Sequence, residues 1–368
     1  EWVVREVVRV DEAAREVWFL ASGRRAGEDP YHRHLCRVNL DGGEVVQLTD
    51  ADGDHEVEFS PSGEWFIARW SRPDHPPVHE LRAARDGRCI ATLERADISA
   101  LLAAGWTLPE RVCAPGRDGR TPIWGVVIRP SRFDASKPYP VVEHVYAGPQ
   151  DHHAPAQFAL LDREHQIANL GFVVVMADGM GTNHRGKRFH DVGWKNLRDA
   201  GFPDRIAWLR AVAAERPWVD LTRVCIYGGS AGGQNAVRAL IEYPDVYRVA
   251  VADCGCHDNR MDKRWWNEQW LGWPVDESYE RSSNVADAHR LRGRLLLIVG
   301  ELDRNVDPAS TFQLAGALQR AGIAFEFMPI IGTGHGAAET PYGARLRAEF
   351  LVRNLLNANP PPIASSPR

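Results

Sequence analysis

Residues 223–232, Arg-Val-Cys-Ile-Tyr-Gly-Gly-Ser-Ala-Gly, constrain the fold more than any other stretch of the chain. A short apolar run enters a Gly-x-Ser-x-Gly turn at 228–232, and the helical pattern 231-AGGQNAVRALIEY-243 follows at once. Strand, sharp turn and helix in that order hold Ser230 in a strained elbow where bulky neighbours would collide with the backbone. The helix N-terminus behind it favours negative charge. The chain has 32 glycines, so a plain glycine-rich turn is the competing reading; the strand before and the helix after favour a nucleophile.

Similar apolar runs recur at 139–147, 171–178, 248–253, 294–301 and 325–331, with helical stretches at 203–215, 231–243 and 309–322. Nearly continuous apolar runs of this length fit strands buried on both faces of a parallel sheet. Their alternation with helices predicts a doubly wound α/β sheet over residues 105–368. Residues 1–104 read differently, as short strands at 17–23, 35–40, 44–49, 56–60, 65–71 and 78–84. Turns such as Asp41-Gly42-Gly43, Pro61-Ser62-Gly63 and Asp86-Gly87 separate them. The stretches HLCRVNLDGGEVVQLT and HEVEFSPSGEWFIARW have the look of successive propeller blades. At roughly 40–50 residues per blade, this part is a partial all-β propeller of about two blades, which need neighbours to bury their faces. The chain begins with Glu1 and enters mid-structure, so further sequence is expected before it.

A formal net charge of -5 and the absence of long Lys/Arg runs argue against a nucleic-acid partner. The longest apolar runs are too short to span a bilayer, so a soluble chain without a membrane segment is expected. Its compartment, cytoplasmic or periplasmic, and a homodimeric assembly stay open. The six cysteines, Cys36, Cys89, Cys113, Cys225, Cys254 and Cys256, are scattered and form no disulfide framework. Cys254-Gly-Cys256-His257 lacks a second ligand cluster, so these are read as small buried thiols after a strand rather than a metal site.

A nucleophile of this kind needs an orienting acid and a base. The run 294-RLLLIVGELD-303 delivers Asp303 just past a buried strand. A turn or helix-cap role is the alternative, and Asp307 before Pro308 fits that role better. The last strand pattern, 325–331, runs into 332-GTGHG-336, which puts His335 on a glycine-flanked loop. Of 14 histidines, only His335 has this order, element and flanks. The order Ser230, Asp303, His335 is that of an α/β-hydrolase.

Four stretches, HVYAGPQ (144–150), YGGSAGGQ (227–234), VGELDRNVDP (299–308) and GTGHG (332–336), resemble the prolyl oligopeptidase family of serine peptidases. They occur in its order, and the likeness is strongest to its dipeptidyl-peptidase IV branch. The resemblance covers most of residues 105–350, and the blade-like part resembles the end of that family's propeller. It implies that Tyr146 supplies an oxyanion hydroxyl, with the Ala231 N–H as second donor. It further implies that Asn305 contacts a substrate carbonyl, that Val306 walls the pocket, and that 265-WWNEQWLGWP-274 supplies its aromatic wall, Trp266 foremost. Two features depart from the branch. Ala231 stands where the branch has a tyrosine, and 257-HDNRMDKR-264 is longer and more polar than expected. The paired acidic residues that hold the substrate amino terminus belong to an earlier part of the propeller, which this chain does not include.

The reaction implied is hydrolysis of short peptides through an acyl-enzyme, dipeptidyl-peptidase-like after Pro or Ala, with no metal or organic cofactor. A carboxylesterase or acyl-peptide hydrolase would use the same triad. A non-catalytic or inactive interaction protein is the third reading, and the intact set of Ser230, Asp303 and His335 argues against it.

Overall fold

The computed structural model describes residues 2–358. Two four-stranded antiparallel sheets come first. One holds β1 (Val3–Asp11), β2 (Glu16–Ser22), β3 (Arg33–Asn39) and β4 (Val46–Gln47). The other holds β5 (Asp54–Phe59), β6 (Trp65–Arg72), β7 (His75–Ala83) and β8 (Cys89–Arg95), each sheet in simple up-and-down order. Alternation along the strands builds a shared core. Phe66 and Ala68 of β6 point inward with Trp18, Leu20 and Leu35, while Trp65 and Ile67 lie exposed on the outer face. This is the blade-like architecture read from the turns, with two strands that the pattern did not reveal. The sequence of β1, VVREVVRVD, does not alternate because bulges between Val4 and Glu6 and between Val7 and Arg9 reset its faces. Every residue of β8 is exposed, so it carries no apolar period at all.

From Glu110 onward the chain forms one eight-stranded sheet. Its strands are β9 (Glu110–Pro115), β10 (Pro122–Ile128), β11 (Tyr139–His144), β12 (Val173–Ala177), β13 (Val219–Gly229), β14 (Tyr247–Asp253), β15 (Arg294–Gly300) and β16 (Glu326–Ile330). The spatial order is β16-β15-β14-β13-β11-β12-β10-β9. Strands β11 to β16 pair in parallel; β10 runs antiparallel to both β12 and β9, so the sheet is mixed at one edge. The doubly wound reading missed that edge because β9 is largely half-exposed and lacks a continuous apolar run.

Neighbouring residues of the central strands enter opposite cores, which is why their sequences are apolar without alternation. Val141, Val175, Val224, Ile226 and Leu297 face the helices Phe202–Glu215, Ala231–Glu242 and Ala309–Arg320. Val142, Val174, Cys225, Val251 and Ile298 face the helices Asp162–Asn169 and Pro341–Leu351. Among the described residues, no helix is long and apolar enough to cross a membrane.

One buried charge pair ties sheet to helix. The Arg205 guanidinium, wholly buried, lies 3.2 Å from the Glu143 carboxylate and donates to the carbonyls of Ala200 and Ala177. Tyr247 donates to the other Glu143 oxygen at 2.8 Å. Removing one partner strands the other charge in the core, so Arg205→Met is expected to cost about 3–5 kcal/mol in urea unfolding. A loss below about 1 kcal/mol would place this pair with surface ion pairs instead.

Candidate active site

The strand order reverses around β11. The chain passes from β11 to β12 on one side and returns to β13 on the other, which opens a crevice at the carboxyl ends of β11 and β13. Tyr146 leaves the first of these strands and Ser230 the second. Ser230 adopts φ 59°, ψ −124°, a conformation costly for a residue with a side chain. Its N–H donates to the Asp253 carbonyl at 2.9 Å, and its own carbonyl accepts from the N–H groups of Gly233 and Gln234 at 2.9 and 3.1 Å. Gly228 and Gly232 are obligatory for space. A Cβ on Gly228 would lie 2.4 Å from the Val145 carbonyl oxygen, and one on Gly232 would lie 2.3 Å from the same atom.

Asp303 follows β15, with its side chain fully buried. Its Oδ1 accepts from the backbone N–H groups of Asn305 (2.8 Å) and Val306 (3.0 Å), while its Oδ2 lies 2.8 Å from His335 Nδ1. A carboxylate at Nδ1 favours the tautomer protonated there, which leaves the Nε2 lone pair free to accept a proton. Nε2 faces the buried Cys254 at 3.9 Å. Cys254 follows Asp253, whose carbonyl accepts from the Ser230 N–H, so it lies next to both the elbow and the imidazole. Burial pushes the Cys254 thiol well above its ordinary range, which keeps it protonated and non-nucleophilic.

A cavity of about 250 Å³ opens at Ser230, lined by Tyr146, Ala231, Trp266, Asn305 and Val306 among others. Tyr146, Ser230, Ala231, Trp266, Asn305 and Val306 therefore meet at one opening, and Asp303 underlies it through the Asn305 and Val306 N–H groups, with His335 bonded to Asp303. Trp266 packs edge-on against Trp270 at 6.3 Å, and Trp265 stands 69% exposed at the rim. Burial pushes the Tyr146 phenol up, so its proton stays on at neutral pH. Gln150, which sequence reasoning passed over, donates its amide to the Tyr146 hydroxyl at 2.7 Å, leaving the phenolic proton free to point elsewhere. Its signal was its place inside HVYAGPQ. The polar segment noted at 257–264 supplies Asp262 and Lys263 to the cavity wall, paired at 2.9 Å. Cys256 also lines the cavity, while His257 is wholly buried and held neutral by that burial.

The model of the prolyl oligopeptidase family matches residues 159–357, and that of the dipeptidyl peptidase IV N-terminal region matches residues 1–77. Human dipeptidyl peptidase 8 is 30% identical over 330 residues, which are 86% of this chain and 36% of that protein. A probable dipeptidyl-aminopeptidase B of Arthroderma gypseum is 28% identical over 85% of this chain and 34% of its own length. The crystal structure of Porphyromonas gingivalis dipeptidyl peptidase 4 superposes with a TM-score of 0.83 at 26% identity, covering 96% of this chain and 50% of that one. The chain thus spans about a third of the length of the curated relatives it matches.

Asp253, whose carbonyl anchors the elbow, has a pH signature of its own. Its Oδ2 accepts from the Ala338 N–H at 3.1 Å, but its Oδ1 is buried without a partner. Burial pushes the carboxyl from 3.8 up to about 6. Between those values the folded protein keeps a proton that the unfolded chain has lost, so stability falls as pH rises through this window and stays lower above it. Asp253→Asn, which cannot ionise, is expected to exceed the parent by about 1–3 kcal/mol in urea unfolding at pH 8, with the gain gone near pH 4. An equal effect at both pH values would contradict this assignment.

Proposed function

The chain belongs to the prolyl oligopeptidase family, and from that premise we propose that it is the catalytic part of a serine dipeptidyl peptidase. The observation that carries the reading is the Asp303–His335 contact of 2.8 Å together with a serine held at positive φ at the mouth of a cavity. We assign residues 1–104 to the propeller part and 105–368 to the catalytic domain.

In this mechanism Ser230 Oγ attacks the scissile carbonyl carbon while His335 Nε2 takes its proton. Asp303 holds the ring and stabilises the imidazolium. The carbonyl oxygen gains negative charge, and the Tyr146 hydroxyl and the Ala231 N–H donate to it. The C–N bond then breaks as His335 returns the proton to the leaving amine, leaving Ser230 acylated. Water, deprotonated by the same imidazole, attacks the ester carbon; the bond to Ser230 Oγ breaks as His335 returns that proton to it, releasing the acid and the free enzyme. Trp266 and Val306 flank the side chain of the residue before the cut, and Asn305 contacts a substrate carbonyl. Gln150 acts as a positioning residue through Tyr146.

The test is hydrolysis of Gly-Pro and Ala-Pro chromogenic amides, free and N-blocked, with a short-chain nitrophenyl ester alongside, on the full-length protein. Cleavage confined to the free-amine amides is expected; ester cleavage alone would overturn the peptidase reading in favour of an esterase. Tyr146→Phe is expected to lower kcat about 10²–10³-fold with KM little changed. An unchanged kcat would remove Tyr146 from the oxyanion site.

A further inference from the structure

We propose that Asp151, His152 and His184 form a binding site for a divalent transition-metal ion of the zinc class, on the two loops beside the oxyanion tyrosine. Asp151 Oδ1 lies 3.0 Å from His152 Nδ1 and 3.0 Å from His184 Nε2, and the three ligand atoms are all within 4.8 Å of one another. Around a tetrahedral ion with bonds of about 2.0–2.1 Å, ligand atoms sit roughly 3.3 Å apart. An ion therefore enters this triangle with small side-chain rotations, replacing the two imidazole N–H donations to Asp151 Oδ1 and leaving the His152 backbone N–H donation at 2.8 Å. Two imidazoles and one carboxylate are a donor set for zinc, nickel or copper; calcium and magnesium call for oxygen ligands.

The ligands are held in place before any ion arrives. His184 sits at φ +71°, in the left-handed region, with its N–H donating to Asn183 Oδ1 at 2.7 Å. Asn183 ties the two loops together, donating from its N–H to the Asp151 carbonyl and from its side-chain amide to the Gln150 carbonyl, both at 3.2 Å. The His152 ring stacks on Tyr31 of the propeller part at 4.4 Å and meets His184 edge-on at 5.5 Å. His152 and His184 are 18% and 22% exposed and Asp151 59%, which leaves a coordination position open to water.

Two other groups of ligand-type side chains fail on geometry. Cys254 and Asp303 address opposite nitrogens of the His335 ring, so no single ion reaches both through it. In the group Glu28, His32 and Asp52, the Asp52 carboxylate already faces two fixed cations, Arg72 at 2.5 Å and Arg111 at 3.7 Å. The proposed site has a further consequence, which rests on the peptidase reading. Gln150, next to Asp151 in the chain, holds the Tyr146 hydroxyl, so an ion here stiffens the loop that positions the oxyanion donor.

The experiment is titration of the untagged full-length protein with Co²⁺, read by its visible d–d bands, followed by displacement with Zn²⁺. Saturable one-to-one binding at micromolar ion, with the intense bands of a four-coordinate site, is expected. The His152→Ala/His184→Ala double variant and Asp151→Asn are expected to lose these bands. His335→Ala and His289→Ala are expected to keep them. Circular dichroism without metal shows that each variant is folded, and Asp151→Asn preserves size and shape if the double variant is not. Unchanged cobalt spectra in the double variant and in Asp151→Asn, or no saturable binding by the parent, would overturn the site. No substrate enters this measurement, so an inactive chain that still binds cobalt would count against the peptidase reading alone.

Discussion

The active-site geometry hangs on one close approach. The Val145 carbonyl presses against Gly228 and Gly232, so near that a methyl group on either would overlap it. This contact seals the end of β11 onto the junction between β13 and its following helix, and a Val145 N–H bond to the Tyr227 carbonyl at 2.9 Å continues the pairing. Tyr146 is then delivered beside Ser230 as the next residue along. The positive φ of Ser230, costing of order 1–3 kcal/mol, is held by three backbone hydrogen bonds around it. The strained Ser230 and Tyr146 thus meet at one junction.

The rest of the sheet sustains that junction. Strands apolar on both faces sit between two layers of helices, so β13 cannot slide or tilt without breaking two cores. Arg205 and Glu143 fix the layer below β11. Asp303 is locked by the two backbone N–H groups that follow it, which turns Asn305 and Val306 into supports of the acid as well as lining of the cavity. The propeller part reaches the same region through His152 on Tyr31 and through Gln157, which donates to Glu56 at 2.9 Å.

What the sequence disclosed follows from what it encodes locally. The elbow was legible because strand, glycine turn and helix are contiguous, and Asp303 and His335 because each follows a buried strand in chain order. The central strands were legible for the same reason that they are buried twice. β1 was hidden by bulges that break its alternation, and β8 by its complete exposure. Gln150 and Cys254 were not legible as parts of the site. Their importance lies in side-chain contacts with Tyr146, within one loop, and with His335, across 81 residues, which no periodicity records. The polarity of 257–264 was visible, but only the fold shows that Asp262 and Lys263 turn into the cavity.

The most direct test of Ser230 as nucleophile is the site of covalent modification by a fluorophosphonate. The labelled protein is digested, the adduct is mapped by mass spectrometry, and Ser230→Ala is treated in parallel. A single adduct on Ser230 and none on the variant is expected, with the variant's unfolding curve equal to or better than the parent's. Labelling at another residue, or undiminished labelling of Ser230→Ala, would contradict that role.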